Sequence, residues 1–186
     1  MATTLTGEER EVFQLAKDGS ALWTRDWASR LREEIESIIG KMSADSLMVI
    51  NASGVKVFDF SFASEFFAKL VLRFPNEYPG RCIAVSNLAP HVRENLEAAL
   101  HRAGVMMLEL VDKTWELIGK FSGADENTLK ALSDTGKPIS ATDLAAQLNI
   151  RVTACNERLA RLTRFGLIHR LASKSGRVQY LYSFVH

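Results

Sequence analysis

An α/β fold followed by a small α+β domain is the architecture this sequence predicts, and three observations predict it. Three short apolar runs, "LMVI" (47–50), "CIAV" (82–85) and "VMMLELV" (105–111), are separated by two stretches of helical periodicity. The runs are apolar on both faces, as strands of a parallel sheet sandwiched by helices are. Beyond residue 123 the pattern changes to three short helices and two closing strands, and the charge balance changes with it.

The elements follow in order. Thr6 and Glu9 have the T-x-x-E spacing of a capping box ahead of "EREVFQLAK", which predicts a first helix stopped at "KDGS". Trp27, Leu31, Ile35, Ile38 and Ile39 fall at helical spacing and predict a second, closed by Gly40. Between the first two apolar runs, Phe62, Phe66, Phe67, Leu70, Val71 and Phe74 form a wide apolar stripe. Between the second and third runs, Val92, Leu96, Ala99, Leu100 and Ala103 form another, so this part reads βαβαβ. The segment "DKTWELIGK" fits either a last strand or a connecting helix.

Around "KFSGADENT" the pattern lapses into small and polar residues, placing a boundary between domains 1–122 and 123–186. "DENTLKALSDTGKP" predicts a short helix stopped by Gly136 and Pro138, and Ser140 with Asp143 caps a second one. After the turn at "NIR", Thr153 can cap a third helix that turns Cys155, Leu159 and Leu162 inward. The strands "LIHRL" and "VQYLYSF" are joined by "ASKSGR", whose Gly and small polar residues suit a hairpin tip. Helix, helix, helix, hairpin is the order of a winged helix.

Composition narrows the function. With 186 residues, 47% of them hydrophobic and 24% charged, the chain is long enough for two small globular domains with separate cores. No apolar run has a membrane helix's length and "MATTLTGEER" lacks the regions of a signal peptide, so a cytoplasmic location is expected. Cys82 and Cys155 lie inside apolar patterns in different halves, which predicts buried thiols rather than a disulfide, nucleophile or metal ligand. The near-neutral total hides an asymmetry: from Gly123 onward there are nine basic and five acidic residues, net +4, which leaves fourteen and seventeen, net −3, before it. A basic module joined to an acidic one is what a polyanion-binding end looks like.

Enzyme readings fare poorly. His91, His101, His169 and His186 are scattered, no Cys/His spacing suits a metal, and no carboxylates pair locally for acid/base work. "DTGKPIS" lacks the leading Gly of a phosphate loop and has Pro138 after the Lys. No enzyme, cofactor or metal is expected.

"PISATDLAAQLNIRVTACNERLARLTRFGLIHR…SGRVQYLYSF" resembles the winged helix-turn-helix regulators, in which a recognition helix ends in Leu-x-x-x-Gly-Leu-Ile before the wing, here "LTRFGLI"; the resemblance spans residues 125 to 184. It implies that the start of the third helix enters a major groove and that the wing touches phosphate or minor groove. Carried over, Arg151, Thr153, Ala154, Asn156, Glu157 and Arg158 face base edges or nearby phosphates, with Arg161 farther along and Lys174, Ser175 and Arg177 as wing contacts. Arg can fork onto a guanine and Asn onto an adenine, whereas Lys and Ser at a wing hold the backbone.

The stretch "LMVINASGVKVFD", then "FSFASEFFAKL" and "RCIAVSN", resembles STAS-like domains, in particular a prokaryotic family built on a Ser-Phe-Ala-x-Glu-Phe core. The upstream "TRDWASRLREEI" fits that family's Arg-containing first helix, and the resemblance spans roughly residues 22 to 112. Anti-sigma-factor antagonists of the STAS type carry a phosphorylatable Ser directly after an Asp; here Phe60 stands between Asp59 and Ser61. Ser61 is placed to cap the helix, and a phosphate there would suit a helix N-terminus. Asp59, Asn51 and Arg25 can gather at the strand ends, where open α/β sheets place ligands, or each can serve as a structural hydrogen-bonder.

The expectation that follows is a prokaryotic transcription regulator: a winged helix on double-stranded DNA and a STAS-like domain that senses a partner or forms a homodimer. The alternative from another class is a partner-switching module whose winged helix docks onto protein.

Overall fold

A computed structural model of the chain describes residues 9–112, 114–172 and 180–185. The main sheet has the spatial order Arg10–Gln14 (β1), Leu47–Asn51 (β3), Cys82–Ser86 (β5), Met106–Val111 (β6) and Thr114–Gly119 (β7). Its middle is the expected trio: β3 (Leu47–Asn51), β5 (Cys82–Ser86) and β6 (Met106–Val111) run parallel, their apolar runs buried on both faces.

The first predicted helix is instead a strand. β1 (Arg10–Gln14) pairs parallel to β3 with Phe13 opposite Ile50. Phe13 and Leu15 point inward with period two, and Leu47 N–H donates to the Glu9 carbonyl, extending the ladder by one bond of 2.9 Å. Glu, Gln, Leu and Lys are good helix formers, but an unpaired edge of β3 beside a buried Phe outweighs their few tenths of a kcal/mol each. The Thr6 half of the expected capping box lies outside the described residues. "DKTWELIGK" resolves as a strand: β7 (Thr114–Gly119) returns antiparallel to β6 and closes the far edge. Two short strands, β2 (Ala21–Leu22) and β4 (Val57–Phe58), form a separate parallel pair.

α1 (Arg25–Lys41) starts at Thr24, whose hydroxyl accepts from Trp27 N–H, and runs past Gly40 to Lys41. The phenylalanine stripe folds as one continuous helical stretch: α2 (Phe60–Ala63), a π-helical turn (Ser64–Ala68) and α3 (Lys69–Glu77). Within it Phe62, Phe66 and Phe67 are fully buried and stack on one another and on Phe13 and Phe58. The cap of α2 is Asp59, not Ser61: an Asp59 carboxylate oxygen accepts from Phe62 N–H at 2.7 Å. Asp59 has the extended backbone a cap requires, while Ser61 is already the second helical residue, too late to reach the orphan N–H groups. α4 (Pro90–Ala103) carries the second apolar stripe and ends at Gly104 with φ +73.

The helices do not sandwich the sheet. α1, α3 and α4 all pack around the π turn, so they share one face. Paired residues of neighbouring strands project to the same side, which puts Ile50, Ile83, Val85 and Glu109 on that face. Arg93 of α4 binds Glu109 there at 2.7 Å. Leu47, Val49, Cys82, Ala84 and Leu108 project to the other face and are equally buried. What meets that face is the C-terminal module: the Cys82 Sγ lies 3.4 Å from His169 Nδ1, and the Trp115 ring is 5.5 Å from that of Phe184. Buried side chains from Phe13 to Val185 accordingly form one contiguous cluster, in place of the two separate cores expected. Gly166 marks the junction. Its φ is +69, its carbonyl accepts from Ile83 N–H at 2.9 Å, and a Cβ there would lie 2.8 Å from the Phe74 ring.

Candidate nucleic-acid interface

The C-terminal module is built by local signals. Ser122 and Asp125 form a reciprocal capping box at the head of α5 (Gly123–Thr135), and Gly136 ends it in the left-handed region. β8 (Ile139–Ser140) leads into α6 (Ala141–Gln147), where the Ser140 hydroxyl accepts from Asp143 N–H at 3.1 Å as the sequence predicts. The turn that follows places Asn149 at φ 51, a conformation Asn tolerates well. α7 (Val152–Arg164) then begins at Arg151, so Thr153 is inside the helix rather than capping it, and no side chain caps α7. β9 (Ile168–Ala172) and β10 (Tyr180–Phe184) form an antiparallel hairpin, with β8 on the outer side of β10.

Along α7 the side chains divide by face. Cys155, Leu159 and Leu162 are buried as predicted; Thr153, Glu157, Ala160 and Arg164 form the outward stripe, at the helical repeat of the opposite side. Of the candidate contacts, Arg151, Thr153, Asn156 and Glu157 come together as exposed residues on the first half of α7. Ala154 and Arg158 are half-buried on one flank. Burial pushes the Cys155 thiol up, with the Arg158 charge pulling the other way, so it stays protonated and chemically quiet at neutral pH.

Arg161 is turned away from the stripe. Its Nη2 donates to the Lys120 carbonyl at 3.2 Å and its Nε lies 3.8 Å from the buried Asp125 carboxylate, tying α7 to the start of α5. Lys174, Ser175 and Arg177 lie outside the described residues. Two arginines escaped the sequence reading. Arg164 is exposed on the outward stripe, seven residues after Glu157, a spacing that was there to be used. Arg170 at the base of the hairpin stacks on the Tyr180 ring, 3.6 Å from its centroid; a cross-strand partner ten residues away leaves no local signal.

The N-terminal candidates stand at element ends, with the Asp59 N–H donating to the Leu22 carbonyl at 3.3 Å. Asn51, at the end of β3, accepts from Ser53 N–H at 3.0 Å and from the Asn87 amide at 2.9 Å, bracing the two strand ends. Asp59 is occupied as the cap, and Arg25 is exposed at the start of α1. No hydrogen bond or ion pair among the described residues joins these three. A different polar cluster is buried nearby. Arg32, 6% exposed, donates to the Glu65 carbonyl of the π turn at 3.2 Å and pairs with Glu36 at 3.0 Å and with the Glu65 carboxylate at 3.4 Å. Burial pushes the Glu65 carboxyl up, but Lys69 and Arg32 outweigh it and hold the group below its ordinary value of 4.5.

Residues 122–169 match a family model described as winged helix-turn-helix DNA-binding. The match covers the capping box, all three helices and the first two residues of β9. No curated protein matches the chain. Among the described residues no helix is long and apolar enough to cross a membrane.

Proposed function

We propose that this chain, which carries a winged helix-turn-helix DNA-binding domain, is a transcription regulator rather than an enzyme. The observation that carries the reading is the first half of α7: exposed Arg151, Thr153, Asn156 and Glu157 stand on a helix whose other face is locked into the domain. Arg151 and Asn156 supply the two side-chain types that fork onto guanine and adenine, and the uncapped N-terminus of α7 suits a phosphate. Glu157 can accept from a cytosine amino group. Lys174, Ser175 and Arg177 serve as the wing's phosphate contacts, and Ala154 and Arg158 line the flank of the groove-facing half.

The N-terminal domain is read as STAS-like on the strength of its Ser-Phe-Ala-x-Glu-Phe core and of the βαβαβ order, which fits that reading. Its role is to sense a protein partner or to hold two chains as a homodimer, so that two recognition helices meet two half-sites. Its candidate regulatory residues are Ser61, Asp59, Asn51 and Arg25. The alternative of a partner-switching module with a protein-binding winged helix draws on one feature, the carboxylate of Glu157 in the outward stripe.

Selection of full-length protein against random duplex DNA at near-physiological salt tests the reading. Enrichment of a palindrome supports a dimeric regulator and gives the half-site spacing. Absence of binding even at low salt, where phosphate contacts are strongest, refutes it in favour of the partner-switching module.

A further inference from the structure

A cleft of about 480 Å³ opens between the end of α3, the C-terminal half of α7 and the hairpin strands. That volume is in the range of small-molecule sites, roughly 300–1,000 Å³. Its lining brings Arg81, Arg164 and Arg170 together with Tyr78 and Tyr182, and no carboxylate among the described residues faces it. The charged side chains that line it are all arginines, with Glu36 and Glu77 behind Tyr78, and the chemistry is that of an anion receptor with aromatic walls.

Two of the three guanidinium groups are already held in place. Arg81 donates through Nε and Nη2 to the Met42 carbonyl, at 3.0 and 2.6 Å, which leaves Nη1 uncommitted to that carbonyl. Arg170 is stacked on Tyr180. A guanidinium fixed before binding loses little freedom when it binds, which favours affinity. Burial, with the Glu36 and Glu77 carboxylates nearby, pushes the Tyr78 hydroxyl up to about 12, and burial also raises that of Tyr182, so neither tyrosine itself carries a negative charge. Thr163 adds a second kind of evidence. It lines the same cleft, and its hydroxyl oxygen, closed off from solvent, has no hydrogen-bond partner among the described residues. Buried polar atoms are nearly always paired, so an orphan hydroxyl beside a cleft is one that a bound partner can recruit.

We propose that this cleft is a phosphate-binding site. The phosphate is carried either by a phosphorylated small molecule of about mononucleotide size or by the backbone of a duplex lying on α7. Phosphate matches the fork of an arginine and accepts readily from a hydroxyl. Asn156 lines the cleft as well as belonging to the exposed first half of α7, so occupancy of the one is felt at the other. The site joins residues of both modules, and a ligand there stabilises their packing against each other.

The test is calorimetric titration of the full-length protein with adenosine 5′-monophosphate, without DNA, alongside duplex affinity for an enriched sequence. Both are measured for the parent, for Thr163→Val and for the double variant Arg164→Gln with Arg170→Gln. Thr163→Val removes a hydroxyl that has no partner, so the melting temperature holds or rises and misfolding does not confuse the result. If the nucleotide is the source, it binds the parent, about tenfold more weakly the double variant and more weakly Thr163→Val, in line with loss of charge-assisted hydrogen bonds. If duplex is the source, the nucleotide does not bind but both variants lose duplex affinity. Nucleotide binding and duplex affinity that are both insensitive to the variants, or absent nucleotide binding with unaltered duplex affinity, overturn the proposal. The duplex arm alone rests on the regulator reading. Should the protein bind no duplex, that reading fails, while nucleotide binding and its dependence on Thr163 and the two arginines decide the cleft.

Discussion

Arg151 and Arg161 are both basic residues of one helix, yet the geometry assigns them opposite roles, and replacing each with Ala separates these. Arg151 is exposed at the uncapped start of α7, whereas Arg161 spends its guanidinium on the Lys120 carbonyl and the buried Asp125. Arg151→Ala removes one phosphate or base-edge contact. If the contact is to phosphate, the slope of log affinity against log salt flattens by about 0.9, and the parent's advantage shrinks about 3.5-fold between 50 and 200 mM salt. Arg161→Ala leaves that slope unchanged. Instead it removes a charge-assisted hydrogen bond that is partly exposed and so is worth about 1 kcal/mol, near the lower end for such bonds. For a chain of this length that lowers the melting temperature by roughly 2–4 °C. Fluorescence anisotropy of a labelled duplex across a salt series, with a thermal melt of each variant, reads both quantities. An Arg161→Ala protein whose slope flattens like that of Arg151→Ala, with its melt unchanged, refutes the assignment.

Three further outcomes follow from the N-terminal domain and the junction. Arg32→Ala takes the buried cation from Glu36 and Glu65, which keep Arg73 and Lys69, and leaves the π-turn carbonyl without its donor, so it costs about 2 kcal/mol in urea unfolding at pH 7. The Glu65 carboxyl is lowered in the folded chain, so its ionic stabilisation is present above 4.5 and is lost as pH falls through the lowered value; the gap between parent and variant narrows in acid. Asp59→Ala removes the cap of α2 and costs about 1 kcal/mol, while Ser61→Ala stays within about 0.5 kcal/mol; equal effects would show that the cap is misassigned. Gly166→Ala combines a left-handed backbone with a Cβ driven to 2.8 Å from Phe74, and loses about 2–4 kcal/mol of stability; a neutral result would mean the two modules are not packed through this turn.

The legible parts of the fold are those whose signal is local. Ser122 with Asp125, Ser140 with Asp143 and Gly136 write the caps of α5 and α6 into a few adjacent residues. The phenylalanine stripe and the runs at β3, β5 and β6 announce a period or its absence within one window. Where the decision rests on a distant partner, the local reading goes astray. "EREVFQLAK" has the composition of a helix, and only the free edge of β3, more than thirty residues later, makes a strand of it. Asp59 and Ser61 are both acceptable caps, and the backbone at residue 59 decides between them.

The same division runs through the candidate site. The sequence by itself determined a parallel sheet with amphipathic helices and a basic winged helix-turn-helix whose exposed residues begin at Arg151, because periodicity, capping and turn chemistry act over a few residues. Only the tertiary structure decided that the winged helix covers the second face of the sheet, that Arg161 faces inward while Arg164 faces out, and that Arg81, Arg164 and Arg170 surround one cleft. Those facts depend on burying apolar surface between segments as much as 87 residues apart, and no local pattern encodes which buried face will meet which.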